Sequence, residues 1–281
     1  MTQKKSDIVS PTFSDSEPRK STRIENAPPD LFDPNQPRLG RRESEPHSIE
    51  VTYMHDVLAL NFPTGRVLWD LHHYFVGKTS PIKGKKIDIQ FDISFFKELS
   101  IPHTISSYNS SKYDQKIPDL AVNVLSKTTW RNDLSENVDV CKNLKIPVYA
   151  IFSPFKVASS IYNPPFLRVY ILEQDGSYRE EELRSITLKE GGELDPKKII
   201  DTSAFLPFRL GLMQLNQQHD GELPLFRLIF IEPSELKIFP SSVEKAKAEA
   251  QEAKAEAQEA KAEAQEAEKK LKEYQEKFGS L

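Results

Sequence analysis

Two short stretches of this chain place carboxylates and amides at strand-like spacing. IDIQFDISFF, Ile87 to Phe96, alternates Ile87, Ile89, Phe91, Ile93 and Phe95 with polar residues, so Asp88 and Asp92 share the other face of a strand. In PDLAVNVLS, Pro118 to Ser126, Asp119 and Asn123 are four residues apart and point the same way on a strand. Paired acids can hold a hard cation. Other chemistry is scarcer. His72 and His73 are adjacent, so on a helix they point about 100° apart and cannot ligate one metal in the i, i+4 manner. Cys141 is the single cysteine, which excludes an intramolecular disulfide and a cysteine zinc cluster. With no paired base in view it reads as a small apolar helix residue. The lysines of GKTSPIKGKK, at 78, 83, 85 and 86, offer either a phosphate-contacting patch or a solvated loop. A phosphate loop, a dinucleotide fingerprint and HExxH are all missing, and Gly191-Gly192 reads as a turn.

The elements that must position these residues follow from periodicity. Ser48 to Phe62 is apolar enough to be ordered, with strand and helix both open. From Gly65 to Gly77, Val67, Leu68, Trp69, Leu71 and Phe75 fall at helical spacing, which predicts a helix carrying both histidines and ending at Gly77. Strands are expected at Ile87 to Phe96, at Pro118 to Ser126 (buried on both sides) and at Ile146 to Pro154. Between the last two a helix is expected from about Asn132, capped by Asn or Asp, with Leu134, Val138, Cys141 and Leu144 as its inward stripe. FLRVYIL and SYREEELRSITL flank an Asp175-Gly176 turn, and Leu225 to Pro233 follows the turn-forming Asp220-Gly221. These are expected to extend the same sheet. The class implied is an α/β domain with a mixed sheet.

Residues 1–46 are rich in Pro, Ser, Asp, Glu and Arg and poor in large apolar residues, which predicts a disordered tail. Its basic clusters, Arg19-Lys20 and Arg38 to Arg42, read as solvated. The net charge of −4 excludes a chain coated throughout for nucleic acid, though not a local basic patch. No apolar run is long enough for a transmembrane helix, and no apolar segment follows the first lysines. The cytosol is therefore the simplest compartment. Residues 47–240 form the expected domain, and 241–281 a separate helix. In that helix KAEAQEA occurs three times in succession, from Lys247, Lys254 and Lys261. A 4-3 pattern runs from Val243 through the alanines to Leu271, Tyr274 and Phe278, which predicts either a coiled coil or a long solvated helix. Either is a spacer or an assembly element, and residues 243–278 are where a homo-oligomer would form.

FDISFF, PDLAVNVLSKTTWRNDLSENVDVCKNLKIPVYAIFSP and the hairpin region ending in an Ala/Glu-rich helix occur here in one order. That order resembles the restriction-endonuclease family of the PD-(D/E)XK superfamily that is abundant in cyanobacteria. PDL, VLS, the threonine-arginine stretch and Asp133-Leu134 coincide with its central signature. The resemblance implies a restriction-endonuclease-like mixed sheet with flanking helices, a β-hairpin extension and a long C-terminal helix. It also implies Mg²⁺-dependent cleavage of DNA.

Residue by residue, the resemblance puts Asp92 at a metal-ligand position. The family's glutamate falls on Asn123 and its lysine on Asn137, so both essential charges are replaced. Losing one such electrostatic stabiliser costs on the order of 3 kcal/mol, and paired losses need not add. Asp119 is left as a second metal ligand beside Asp92, or as a cap at the strand start. Lys116, Lys127 and Arg131 are near enough in sequence to donate a charge. Glu50 and Asp56 are weak equivalents of the family's N-terminal acid. Two readings stay open: a metal-dependent endonuclease with impaired cleavage, and a non-catalytic DNA-binding or scaffold protein assembling through its C-terminal helix.

Overall fold

Residues 44–80, 82–126, 129–156, 160–217 and 223–279 are described by the computed structural model of the chain. The expected disordered tail, Lys127 and the Asp220-Gly221 turn lie outside the described residues, save Ser44 to Pro46, which begin the first helix.

Helix α1 (Glu45–Asn61) resolves the segment left open between strand and helix. Its buried side, which includes Val51, Met54, Val57 and Leu58, lies against the sheet. The predicted helix over residues 65–77 is instead strand β1 (Arg66–Val76), paired antiparallel with β2 (Lys86–Phe96). Asp70 explains the misreading. It sits at φ 52°, in the left-handed region, and shifts the phase of the strand. Leu68 and Leu71, three apart, therefore face the same core and mimic a helical stripe. Nor is Gly77 a helix stop. It closes the hairpin by donating to Lys85 O at 2.9 Å, and a Cβ there would lie 1.9 Å from Ile82 O.

A short β3 (Tyr108–Asn109) lies beside β1. Strand β4 (Leu120–Val124) is buried at all five positions, as a strand covered on both faces must be. Two helices follow where one was expected: α2 (Trp130–Asp133) and α3 (Glu136–Leu144). Neither Asn132 nor Asp133 caps α3, whose N-cap is Ser135. Next come β5 (Val148–Ser153), β6 (Phe166–Leu172) and β7 (Tyr178–Leu183). The β6-β7 hairpin turns at Gly176, at φ 83°. The seven strands order as β3-β1-β2-β4-β5-β6-β7, with β4 and β5 parallel and β2-β4 antiparallel. The fold class is α/β with a mixed sheet.

The last strands do not extend that sheet. β8 (Leu188–Lys189), β9 (Arg209–Gln214), which the periodicity missed, and β10 (Phe226–Ile231) form a separate three-stranded sheet. Its Leu210, Leu212, Leu228 and Phe230 join α1 and one face of the large sheet in a single core. On the opposite face Cys141 and Leu144 of α3 pack with Ala121, Tyr149 and Ile151.

Helix α4 (Ser242–Phe278) leaves this body behind a capping box, in which Ser241 and Glu244 bond each other's backbone. Asp56 of α1 accepts the Ser242 N–H at 2.6 Å and ties down the helix start. From residue 245 to 277 every residue is exposed.

Candidate functional site

Asp92 lies where β2 and β4 part company. Their ladder pairs Ile93 with Val122 and Phe95 with Leu120 and then stops. One residue before Ile93, the Asp92 carboxylate takes over by accepting the Val124 N–H at 2.7 Å. In return, Asn123 Oδ1 receives the Asp92 N–H at 3.4 Å, a long contact. Side chains thus satisfy the backbone where the strands diverge.

The acceptor role of Asn123 Oδ1 fixes its amide orientation, so Nδ2 faces the other way. There it donates to Asp133 Oδ1 at 2.8 Å. Asn137, in the first turn of α3, donates to the same oxygen at 3.0 Å. The Tyr149 hydroxyl donates to Asp133 O at 3.0 Å and holds the α2–α3 corner on β5. His47, in the first turn of α1, brings Nε2 to 3.3 Å from Asp92 Oδ2. Three residues aligned with the family's site, Asp92, Asn123 and Asn137, are therefore brought together around Asp133.

This place is dry. Asn123 and Asp133 are 3 % and 4 % exposed. Burial, and then the negative charge of nearby Asp92, lift Asp133 to about 7, against hydrogen bonds from Thr129, Asn123 and Asn137. At neutral pH the cluster carries a carboxyl group poised between its charged and neutral forms.

Residues that did not converge are equally informative. Asp119 lies just before β4, four residues from Asn123 and about 13 Å away at strand rise. Its carboxylate accepts the Lys97 N–H at 2.8 Å and pairs Lys97 Nζ at 3.3 Å, the capping role rather than a shared cation site with Asp92. Lys116 donates to Glu98 O, and Arg131 stacks on Trp130 at 4.9 Å. Glu50 is buried against Arg227 of β10 at 3.0 Å, and Asp56 serves α4. Asp88 pairs exposed His72, and His73 is buried with Nε2 on Ser94 at 2.8 Å, so the two histidines diverge. Cys141 is wholly buried, and burial holds its thiol protonated.

Sequence reasoning missed His47 and Asp133. The sequence marks Asp133 only as a residue that matches the family signature and could cap a helix, and nothing in the pattern marks His47.

Mg²⁺ demands near-octahedral oxygen ligands at about 2.0–2.1 Å. Here Asp133 Oδ1 is filled by two amide N–H groups, Asn123 Oδ1 by a backbone N–H and Asp92 Oδ2 by another. Among the described residues no group of three or more His, Cys, Asp or Glu is placed to hold a metal ion. The side chains do not fit the cation that the family resemblance implies.

No family model matches the sequence, and no curated protein matches it. Among solved structures the chain is similar to a crystal structure from Anabaena variabilis described as a "putative nuclease belonging to DUF820". The two share 14 % identity over 52 % of this chain and 70 % of that one, with a TM-score of 0.37. The likeness is one of outline.

Proposed function

We propose that this is a nuclease-fold protein, related to metal-dependent DNA endonucleases, whose cleavage site has become a closed hydrogen-bond network and no longer hydrolyses phosphodiesters. One observation carries the reading. Asp133 Oδ1 receives both the Asn123 and the Asn137 amides, at 2.8 and 3.0 Å, the two positions where the family resemblance expects glutamate and lysine. A cation there would have to displace two buried hydrogen bonds and reorient both amides. Neither amide supplies a positive charge to offset a developing phosphorane.

The remaining role is non-catalytic, and α4 supplies the means of assembly. A second reading, contact with a nucleic-acid backbone, has its own observation. Asn143 receives the Lys78 and Thr79 N–H groups and donates to Thr79 O, stapling the lysine-rich β1-β2 loop to the end of α3. That brings Lys78 close enough to Lys145 for the two charges to repel, which, after burial, lowers Lys78 from its ordinary range. Lys83 and Lys85 are exposed on the same loop, and Lys86 is exposed at the start of β2.

Plasmid nicking in Mg²⁺ or Mn²⁺, run beside Asp92→Ala, tests the reading. It expects no nicking above a no-protein control for either protein. Nicking by the wild type that disappears in the variant would refute it. Duplex DNA binding that weakens steeply with salt would favour the lysine loop as the working surface.

A further inference from the structure

Helix α4 carries opposite charge along the two borders of its seam, and the sign of both borders reverses near the end. With Ala250, Ala253, Ala257, Ala260, Ala264 and Ala267 as the seam, one border is Glu249, Glu256 and Glu263, then Lys270 and Lys277. The other is Lys247, Lys254 and Lys261, then Glu268. In a coiled coil these border positions set partner and orientation.

A parallel pair of such helices would match Glu249 with Lys254 and Glu256 with Lys261 of the second copy. It would also set Glu263 against Glu268, like against like. An antiparallel pair that puts Ala264 opposite Ala267 of the second copy behaves differently. Glu256 then meets Lys277, Glu263 meets Lys270, and Lys261 meets Glu268, each twice by symmetry, with no like charges facing. The same register seats Leu271 on Ala260 and Tyr274 on Ala257. Leu271 and Tyr274 are 60 % and 68 % exposed on this chain. A parallel pair would instead stack large residues on large at one end and alanine on alanine elsewhere. Sliding the antiparallel pair by one heptad toward the N-terminus sets Glu263 against Glu263, and sliding the other way sets Lys270 against Lys270.

We infer that α4 binds a second copy of this chain as an antiparallel two-helix coil, registered by the charge reversal between Glu263 and Glu268. The inference deepens the assembly role and does not depend on the state of the Asp92–Asp133 cluster. The two bodies would sit at opposite ends of the coil, clear of each other. The exposed Glu266–Lys270 pair along one helix, at 2.7 Å, can exchange for Glu263 of the second copy at little cost.

The test is on the full chain, by mass and by distance. Sedimentation equilibrium is expected to show a dimer at about 100 μM. Glu276→Cys places a spin label on the face away from the seam, and buried Cys141 leaves it the accessible thiol. At 1.5 Å per residue the two labels should be separated axially by about 32 Å in the antiparallel dimer and by nearly nothing in a parallel one. Reversing Lys270 and Lys277 to Glu should weaken self-association at least tenfold. Mixing that variant with one carrying Glu256→Lys and Glu263→Lys should restore a heterodimer. A monomer, a short label distance, or indifference to the reversal would each overturn the inference. A chain that nicks DNA yet dimerises this way would refute the preceding section and leave this one standing.

Discussion

Asn123 and Asp133 are joined at 2.8 Å by an N–H donation that an ionised glutamate at position 123 could not make. A carboxylate has no proton to give at neutral pH, so it would face Asp133 and Asp92 as a third buried acid. The amide converts a repulsive contact into a donor.

That relationship predicts the response to placing at position 123 the glutamate that the family resemblance expects. Asn123→Glu alone should lower stability by about 3 kcal/mol, measured by urea unfolding, because it buries an uncompensated charge. Adding Asn137→Lys should recover part of the loss, since the ammonium sits one bond away across Asp133. If Asn123→Glu is neutral without added cation, the network is not closed as described.

Asp133 also sets a pH dependence. Its folded pKa, about 7, lies above the ordinary 3.8, so folding takes up a proton between these values. Below about pH 4 both states are protonated and the stability is whole. As the pH rises the unfolded chain ionises first, and stability falls until the folded carboxyl has also ionised. The loss is on the order of 4 kcal/mol. Asp133→Asn removes that slope, so its stability relative to wild type should improve by about that amount between pH 4 and pH 8. An unchanged difference across that range would contradict the assignment.

The buried pair between α1 and the second sheet makes a separate prediction. Glu50 is lifted to about 7 by burial, against the pull of Arg227, and the Arg227 guanidinium also covers the Tyr53 ring at 3.9 Å. Arg227→Ala should cost about 3–5 kcal/mol at pH 8 and less at pH 5, where Glu50 can take up a proton. Among the described residues the buried Tyr53 hydroxyl has no hydrogen-bond partner, so Tyr53→Phe should be neutral or stabilising by about 1 kcal/mol. Thermal unfolding of both variants distinguishes these outcomes.

Where the chain obeys a simple period, the sequence was enough to place an element. Ile87 to Phe96 alternates, Leu120 to Val124 is apolar throughout, and the Ala/Glu repeat has no breaker; each became the expected strand or helix. Where one residue shifts the phase, the period misleads. Asp70 in the left-handed region turned an aromatic strand into an apparent helix, and Leu134-Ser135 broke a predicted helix in two. The second sheet was illegible for another reason: β8 and β10 are joined only through β9, and pairing across a sequence gap leaves no local trace. Within the candidate site, resemblance to a family motif singled out Asp92, Asn123 and Asn137, which lie together in the structure. It could not find His47, which comes from a helix outside the motif and reaches Asp92 only through the packing of α1 on the sheet.

The most direct test of the closed network is calorimetric titration of the full chain with Mn²⁺, beside Asp92→Ala and Asp133→Asn. A sealed hydrogen-bonded site predicts no saturable heat in any of the three proteins at millimolar cation. Stoichiometric Mn²⁺ binding by the wild type, lost in both variants, would mean the site opens to a metal and would contradict the account.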